Sequence, residues 1–204
     1  MAYIISADEI KKTLHGYDPE HSDVLHRESA RLADKKYEDA LKKRKEKTVI
    51  LMSGGTASGK TEYISAFLKE RKTIIFDGTM PTLEGAKIKI NKALRCGKRV
   101  EIHAVLPTSL ETAFIAFLNR DRKFPPEHFF RTHSSSRKTL LAISKNFAEV
   151  PVKIFFSRYQ VDGNKMDTKF TELLIPNRGA LIDFLEKNQY TEEEIKRLQG
   201  IYDI

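Results

Sequence analysis

The sequence of 204 residues predicts an α/β fold of three layers, in which helices cover both faces of a mostly parallel central sheet. Short apolar runs alternate with helix-forming segments along the chain, as in folds built on parallel sheets. The run Thr48–Ser53 (TVILMS) is mainly apolar, which is typical of a central strand that is buried on both faces. No repeat, low-complexity tract or linker marks a second domain, so a single domain is expected.

In the first half of the chain, short apolar runs predict strands at residues 3–7 and 73–77, in addition to Thr48–Ser53. Residues 23–44 are rich in alanine, leucine, glutamate, lysine and arginine, and these good helix formers predict a helix. A further helix is expected after the glycine-rich turn that follows Thr48–Ser53, and it should end near residue 72.

In the middle of the chain, apolar residues at helical spacing predict a helix that begins near Leu83 and stops at Gly97. A strand should follow at residues 99–106. Thr108 and Glu111 have the spacing of a capping box, so the next helix is expected to begin at Thr108.

In the last third of the chain, a pair of prolines interrupts the helical region, and a strand is expected at residues 152–160. Asp162-Gly163 is a turn signal after that strand. The tail from Asn177 is expected to form two helices, and Thr191 with Glu194 should form a capping box for the second of them.

Composition restricts the class of protein. The chain is 40% hydrophobic and 31% charged, which indicates a globular protein, and no apolar run approaches the roughly 18 residues of a membrane span. One cysteine, Cys96, excludes an internal disulfide and a zinc site built from cysteines, so a cytoplasmic location is expected. The net charge of +8 favours phosphate-rich partners. Nucleic acid is the less favoured of these, because the basic residues are spread along the sequence rather than clustered.

One motif predicts a ligand directly. The eight residues after Thr48–Ser53 match G-x-x-x-x-G-K-[ST] at every fixed position: Gly54, Gly55, Thr56, Ala57, Ser58, Gly59, Lys60 and Thr61. The glycines let backbone N–H groups turn around phosphate oxygens, Lys60 should reach the β and γ phosphates, and Thr61 should bind Mg²⁺. ATP is favoured over GTP, because the chain lacks an Asn-Lys-x-Asp guanine-reading signature.

Polar residues at the ends of two other predicted strands are candidates for the same site. Asp8 follows the first strand, where it could accept the proton of a substrate hydroxyl or simply cap the next helix. Asp77 and Thr79 follow the strand at 73–77, where they could contact Mg²⁺ and substrate or form an ordinary turn.

A basic segment follows the helix that is predicted after Thr108. Arg120 and Arg122 could close over the phosphate loop and stabilise charge on the phosphoryl group that is transferred, and Arg131 and Arg137 lie further along. The alternative is a solvated basic helix face, which is the more common fate of such a run.

Together these segments resemble the zeta-toxin family of P-loop kinases, over roughly residues 3–158. The resemblance is carried by the phosphate loop, by ISADEIKKTLHGYDPE with the later HRES, by IIFDGTMPT and by RKFPPEHFF. It implies a P-loop kinase fold and an ATP- and Mg²⁺-dependent phosphotransferase. Family members phosphorylate a hydroxyl of a small metabolite such as a UDP-sugar or a dinucleotide, and toxic members are often held inactive by a small helical antitoxin.

The resemblance also implies roles for individual residues. Asp8 matches the base that activates the substrate hydroxyl, and Arg120 and Arg122 match lid arginines that grip phosphate. Residues of the matching segments are the expected substrate contacts: Lys11, His26, Glu28, Asp77 and Thr79. Thr61 and Asp77 are the expected metal ligands. On this interpretation the single domain has three parts: residues 1–45 with the Asp-bearing strand, 46–160 with the nucleotide-binding core and lid, and 161–204 with a C-terminal hairpin and helices.

The order of the segments differs from that of the family. There the phosphate-loop strand comes first and the Asp-bearing strand second, whereas here the Asp-bearing strand precedes the phosphate loop. If the strands keep their places in the sheet, Asp8 should still face Lys60. Two other functions remain open from the sequence: a polynucleotide or nucleoside kinase, and a nucleotide-binding regulator without phosphotransfer. The sequence does not identify the acceptor.

Overall fold

The computed structural model describes residues 1–162 and 165–200, whose strands form one six-stranded sheet. The strands are β1 (Tyr3–Ser6), β2 (Thr48–Ser53), β3 (Ile74–Asp77), β4 (Arg99–Pro107), β5 (Val152–Asp162) and β6 (Lys165–Leu173). Their order across the sheet is β1-β3-β2-β4-β5-β6. The first five strands pair in parallel, and β6 pairs with β5 in antiparallel register.

Helices cover both faces of this sheet, so the predicted three-layer α/β fold is confirmed. They are α1 (Ala7–Lys12), α2 (His26–Lys43), α3 (Lys60–Tyr63), α4 (Leu83–Arg95), α5 (Leu110–Leu118), α6 (Pro126–Asn146), α7 (Arg178–Lys187) and α8 (Glu192–Leu198). A 3₁₀ turn at Pro19–His21 precedes α2, and a π-helical turn at Ile64–Leu68 continues α3.

The central strand β2 is buried on both faces, as its apolar sequence predicted. Val49 and Leu51 pack into the core beneath α2, α4 and α6, whereas Ile50 and Met52 pack into the core on the α3 side. All four side chains are fully buried. Neither face of β2 can reach water, so a strand of alternating polarity could not occupy this position.

Three details differ from the sequence-based expectation. Helix α5 is capped by Ser109, whose hydroxyl accepts from the N–H of Thr112, and not by Thr108. The N–H of Thr108 instead donates to the carbonyl of Ser157 at 2.9 Å, which extends the pairing of β4 with β5. The helix after the phosphate loop ends at the π-helical turn, before residue 72. Strand β6, whose sequence KMDTKFTEL is mostly polar, had no predicted bounds, although a hairpin was expected within residues 161–204.

The C-terminal expectations are met where the structure describes them. Asn177 caps α7, and Thr191 and Glu194 form the predicted capping box of α8. The predicted turn at Asp162-Gly163 lies partly outside the described residues, because Gly163 is not among them. Among the helices of the described ranges, none combines the length and apolar character that a bilayer span requires.

Candidate active site

The carboxyl ends of β1, β3 and β2 open onto one cavity of about 420 Å³. Strand β1 lies beside β3 with Ser6 opposite Asp77, so the residues that follow both strands reach the same edge of the sheet. Eleven of the predicted site residues line this cavity: Asp8, His26, Thr56, Ala57, Ser58, Lys60, Thr61, Asp77, Thr79, Arg120 and Arg122.

The phosphate loop has the backbone that its glycines predict. Gly54 has a φ of 132° and Gly59 a φ of 87°, and Ala57 adopts a positive φ of 56° that is uncommon for a residue with a side chain. A β-carbon at Gly54 would lie 2.2 Å from the carbonyl oxygen of Val105. The Nζ atom of Lys60 lies inside the loop, where it donates to the carbonyls of Gly54 and Gly55 at 3.0 and 2.8 Å.

Residues far along the chain hold this loop from behind, and the sequence analysis did not find them. From α6, the hydroxyl of Thr132 accepts from the N–H of Thr56 at 3.1 Å, and Nε2 of His133 lies 2.8 Å from the carbonyl of Thr56. From β5, the hydroxyl of Ser157 donates to the carbonyl of Ser58 at 2.8 Å, and that of Tyr159 donates to the carbonyl of Ala57. No local pattern marks these contacts, because they join positions that are distant in the sequence.

The surroundings of Lys60 disfavour its charged form. Burial lowers the pKa of its ammonium group to about 8, and the nearby carboxylates of Asp77 and Asp8 only partly oppose this shift. Backbone carbonyls accept its hydrogen bonds, and no described carboxylate forms an ion pair with it. An anion placed among the N–H groups of the loop would therefore stabilise the charged form of Lys60.

Asp8 lies at the start of α1 and forms an ion pair with Arg122. Its Oδ2 atom lies 2.6 Å from Nη1 of Arg122, and its Oδ1 atom lies 3.7 Å from Nζ of Lys11. Partial burial raises the pKa of Asp8, but the charges of Arg122, Lys11 and Arg120 outweigh this effect and hold the pKa below its usual value. Asp8 is thus an ionised carboxylate, which accepts hydrogen bonds and does not donate them.

The lid is the segment between α5 and α6, and its arginines reach across the cavity. Nη1 of Arg120 donates to the hydroxyl of Thr56 at 3.1 Å, so this guanidinium touches the phosphate loop itself. Arg122 pairs with Asp8. The backbone N–H of Lys123 donates to the carbonyl of Pro19 at 3.0 Å, which anchors the lid to the segment after α1. Arg120 therefore contacts the phosphate loop, and Arg122 contacts the predicted base Asp8.

Asp77 and Thr79 occupy the turn between β3 and α4. Burial raises the pKa of Asp77, and the neighbouring charge of Lys60 opposes this shift. Met80, the next residue after Thr79, is buried and has a positive φ of 51°. Backbone strain of this kind is maintained only by surrounding structure and occurs often at functional sites.

The predicted substrate contacts do not all reach the cavity. His26 lies on its wall, but Glu28 is exposed on α2 and is not among the lining residues. Lys11 is fully buried below the wall, where its Nζ atom lies 4.9 Å from the ring centroid of Phe124 and 3.5 Å from the hydroxyl of Ser22. Direct substrate contact by Lys11 and Glu28 stays a prediction.

The cavity also has a second wall, between α2 and α4, that the sequence did not indicate. There Lys89 pairs with Asp34 at 2.8 Å. Elsewhere in the cavity lining, on the segment between α5 and α6 and on α6, the rings of Phe124 and His128 stack with centroids 4.5 Å apart, and Nη2 of Arg131 lies 3.4 Å from Nδ1 of His128. Burial, with the charges of His26 and Arg131, lowers the pKa of His128 to about 4, so this imidazole is neutral near pH 7.

Thr61 and Asp77 suit a hard divalent cation in their chemistry. Both supply oxygen atoms to the cavity that contains Lys60, and oxygen is the ligand type that Mg²⁺ prefers. The residues that the structure describes contain no group of three or more histidine, cysteine, aspartate or glutamate side chains that could hold a metal alone. A cation at this position would need further oxygens from a bound phosphate or from water.

Comparison with known proteins gives only distant structural matches. No protein-family model and no curated protein matches the sequence. Similar solved structures are crystal structures of the complex of AvrRxo1-ORF1 with AvrRxo1-ORF2. The one with sulphate ions is 13% identical over 92% of this chain and 86% of that chain, with a TM-score of 0.44. The native complex is 13% identical over 96% and 88%, with a TM-score of 0.44. The one with ATP is 11% identical over 91% of each chain, with a TM-score of 0.42.

Proposed function

We propose that this protein is a phosphotransferase of the zeta-toxin type, which transfers the γ-phosphoryl group of ATP to a hydroxyl of a small metabolite. The observation that supports it most is the meeting of Asp8 and Lys60 in one cavity, although Asp8 precedes the phosphate loop in the chain. Strand β1 lies beside β3 in the sheet, and this placement brings Asp8 into the cavity of the phosphate loop, as a counterpart of the family's Asp-bearing segment would require. UDP-sugars and dinucleotides are the acceptor classes that the resemblance suggests.

The phosphate loop would bind the donor. Backbone N–H groups around Gly54 and Gly59 and the ammonium group of Lys60 would contact the phosphates. Arg120 already contacts the loop through Thr56, so it is positioned to meet the phosphoryl group that is transferred. Thr61 and Asp77 would hold Mg²⁺, which supplies positive charge that neutralises the phosphate oxygens.

Asp8 would orient the acceptor hydroxyl. An ionised carboxylate accepts the hydrogen bond of a hydroxyl group and takes its proton as the new oxygen–phosphorus bond forms and the bond between the γ-phosphorus and ADP breaks. Its partner Arg122 would then have to share Asp8 with the acceptor, or turn toward the phosphate. The lining residues Lys89, Phe124 and His128 supply a cation and aromatic rings to the cavity, which suits an acceptor that carries both a ring and an anionic group.

The test is phosphoryl transfer from γ-labelled ATP with Mg²⁺ to a panel of UDP-sugars, NAD, nucleosides and a short oligonucleotide. Label on one acceptor would establish the activity and its substrate class. Transfer to the oligonucleotide or the nucleosides alone would favour a polynucleotide or nucleoside kinase instead. A protein that binds ATP but labels nothing, even in crude metabolite extract, would favour a nucleotide-binding regulator.

Asp8→Asn is the decisive variant, since it keeps the shape of the side chain and removes its charge. We expect transfer to fall by at least about 10²-fold, which is typical for loss of general-base catalysis, while ATP affinity changes little. Lys60→Met should instead weaken ATP binding. Full transfer by Asp8→Asn would refute the role of Asp8.

The resemblance also suggests a protein partner. A helical antitoxin that blocks the site is an expectation that belongs to this proposal.

A further inference from the structure

Three short segments carry the positive charge of this protein. Residues 42–47, 69–72 and 95–99 contain eleven lysines and arginines and two glutamates, a net charge of +9. The whole chain has a net charge of +8, so the remainder is close to neutral. In the sequence these segments are separated by more than twenty residues, which is why the basic residues looked dispersed.

The sheet brings the three segments together. They lead into β2, β3 and β4, which are neighbours in the order β3-β2-β4 and run parallel. Parallel neighbours begin at the same edge of a sheet, and this edge is opposite to the one that carries the candidate active site. The N–H of Arg99 donates to the carbonyl of Lys47 at 2.8 Å, which joins two of the segments directly. We call these three segments the basic face.

A shallow depression of about 720 Å³ lies on the basic face. Six cations line it: Lys43, Arg44, Lys45, Lys47, Lys72 and Arg99. Glu46 is the carboxylate among its lining residues, and it is paired with Arg44 at 2.6 Å. The ammonium group of Lys98 donates to the carbonyls of Arg44 and Glu46, both at 2.7 Å, and so fixes the loop that carries these charges.

Helix ends explain only part of this charge. Cations in the last turn of a helix complement its dipole, and Lys42, Lys43 and Arg95 are in such turns. Lys47, Lys72 and Arg99 lie outside the helices, at strand starts where no dipole needs them. Repulsion among these cations lowers the stability of the fold unless an anion is bound. A role in anion binding therefore explains Lys47, Lys72 and Arg99 better than a role at a helix end does.

We propose that the basic face binds the phosphate backbone of a double-stranded polynucleotide. A membrane surface fits less well, because Met1 is the exposed large apolar residue among those that line the depression, and peripheral membrane proteins insert several. A single strand fits less well too. The Tyr3 ring, which could stack on a base, is covered by the guanidinium of Arg44 at 4.3 Å. Contacts to phosphate alone give binding that depends on salt and not on sequence.

The test is fluorescence anisotropy of a labelled RNA duplex between about 50 and 200 mM salt. One triple variant reverses charge on the basic face: Lys45→Glu, Lys47→Glu and Lys72→Glu. A matched triple reverses three exposed lysines elsewhere: Lys35→Glu, Lys138→Glu and Lys187→Glu. We expect the first to weaken binding at least about tenfold and to flatten the salt dependence, and the second to change affinity about twofold.

Two results would overturn this proposal. Equal loss in both triple variants would mean that net charge alone attracts the duplex. Binding to phosphatidylserine vesicles without binding to the duplex would assign the face to a membrane. Because the triples leave the candidate active site untouched, the outcome does not depend on the proposed phosphotransfer.

A second observation concerns a buried cation behind the phosphate loop. Arg137 is only 4% exposed, its Nε atom has no hydrogen-bond partner, and no carboxylate of the described residues pairs with it. Its guanidinium lies 5.4 Å from the ring centroid of Tyr190. A buried charge without a counter-ion destabilises a fold strongly, so a functional role would explain why Arg137 is present.

Arg137 connects to the loop through one residue. Its Nη1 atom lies 3.4 Å from Nδ1 of His133, and Nε2 of His133 lies 2.8 Å from the carbonyl of Thr56. A guanidinium can only donate, so Nδ1 of His133 accepts and the proton of the neutral ring is on Nε2. Burial and the charge of Arg137 lower the pKa of His133, which keeps the ring neutral. The arrangement is a chain of donors from Arg137 through His133 to the loop.

We infer that Arg137 is a positioning residue for nucleotide binding, and that the phosphates of the bound nucleotide supply its missing counter-charge. This inference rests on the proposed function. It predicts an unusual pair of effects in Arg137→Met: the thermal midpoint of the ligand-free protein stays the same or rises, while the Kd for ATP rises about tenfold. Arg137→Lys, which keeps the charge, should recover part of the affinity.

A merely structural role would give the opposite pair, a lower thermal midpoint with unchanged affinity, and would overturn the inference. The wild-type protein separates the two levels of failure. If the wild-type protein and Arg137→Met bind ATP with the same affinity, this inference alone is wrong. If the wild-type protein binds no nucleotide at all, the proposed function fails and the inference fails with it.

Discussion

At Gly55, the imidazole ring of His133 fills the space that a side chain would need. A β-carbon there would lie 2.3 Å from two ring carbons, far inside the contact distance. The ring cannot move away easily, because it is fully buried and bonded to the carbonyl of Thr56. Glycine at this position is therefore required by tertiary packing as well as by the turn.

The variant Gly55→Ala tests this packing. We expect it to lower the free energy of unfolding by about 1–3 kcal/mol through overpacking, and to weaken ATP binding. In a His133→Ala background the same change should cost clearly less, because the ring is gone. Chemical denaturation of the four proteins gives the coupling energy. An equal cost in both backgrounds would show that the loop backbone, and not His133, demands glycine.

Lys60 predicts a dependence of ATP affinity on pH. With a pKa of about 8 in the free protein, Lys60 loses its charge as the pH rises above 8, so ATP binding must then take up a proton. Affinity should fall by up to about tenfold per pH unit above pH 8. Titration calorimetry at several pH values measures this slope. Lys60→Met should bind more weakly and lose this part of the dependence, and an unchanged slope in that variant would contradict the assignment.

The same shift has the opposite sign for folding. The unfolded chain, with a lysine pKa of 10.5, binds more protons than the folded chain between about pH 8 and 10.5. The contribution of Lys60 to stability therefore rises with pH over that range in the ligand-free protein, while its contribution to ATP binding falls.

At the scale of secondary structure, the start of α8 was predicted correctly from the capping box of Thr191 and Glu194. The predicted start of α5 was wrong because Thr108 still pairs with Ser157 of β5, a contact between residues 49 positions apart. The bounds of strand β6 were not predicted because its polar sequence carries little burial signal, and its pairing with β5 is what identifies it as a strand.

The cap of α5 can be tested directly. Ser109→Ala should lower the free energy of unfolding by about 1 kcal/mol, since the N–H of Thr112 loses its acceptor. Ser109→Asn restores an acceptor and should retain most of the stability. Urea denaturation measures both variants. A loss as large in Ser109→Asn as in Ser109→Ala would mean that the cap bond contributes little.

At the scale of the whole molecule, the candidate active site depends on the position of β1 in the sheet and not on its position in the chain. Ala2 donates to the carbonyl of Lys69 at 2.8 Å, and the hydroxyl of Thr73 donates to the carbonyl of Thr48 at 2.8 Å. The chain ends around β1, β2 and β3 are therefore close enough to be joined in another order by short linkers.

This proximity predicts that the protein tolerates relinking. A chain in the order 46–71, 2–45 and 73–204, joined by short glycine-serine linkers, has the segment order of the zeta-toxin family. We expect its free energy of unfolding to lie within about 2 kcal/mol of the native order, because loop closure changes little, and its ATP affinity to be retained. Circular dichroism during melting and ATP titration are the measurements. The control carries the same linkers in the native order, and collapse of the relinked chain alone would show that the native order is required.

The sequence by itself determined the layers of the fold, the central strand and the phosphate loop. These features are local: burial of TVILMS on both faces and the turn of Gly54 to Gly59 follow from residues that are adjacent in the chain. Together with the family likeness, it also predicted that Asp8 would face Lys60.

Only the tertiary structure decided which distant residues meet. His133, Ser157 and Tyr159 contact the phosphate loop from 77 or more positions away, and no pattern in their own surroundings marks them. The basic face likewise exists only because three separated segments lead into neighbouring parallel strands. Periodicity and motifs report the nearest neighbours of a residue along the chain, whereas strand order decides its neighbours in space, and strand order depends on the packing of the whole sheet.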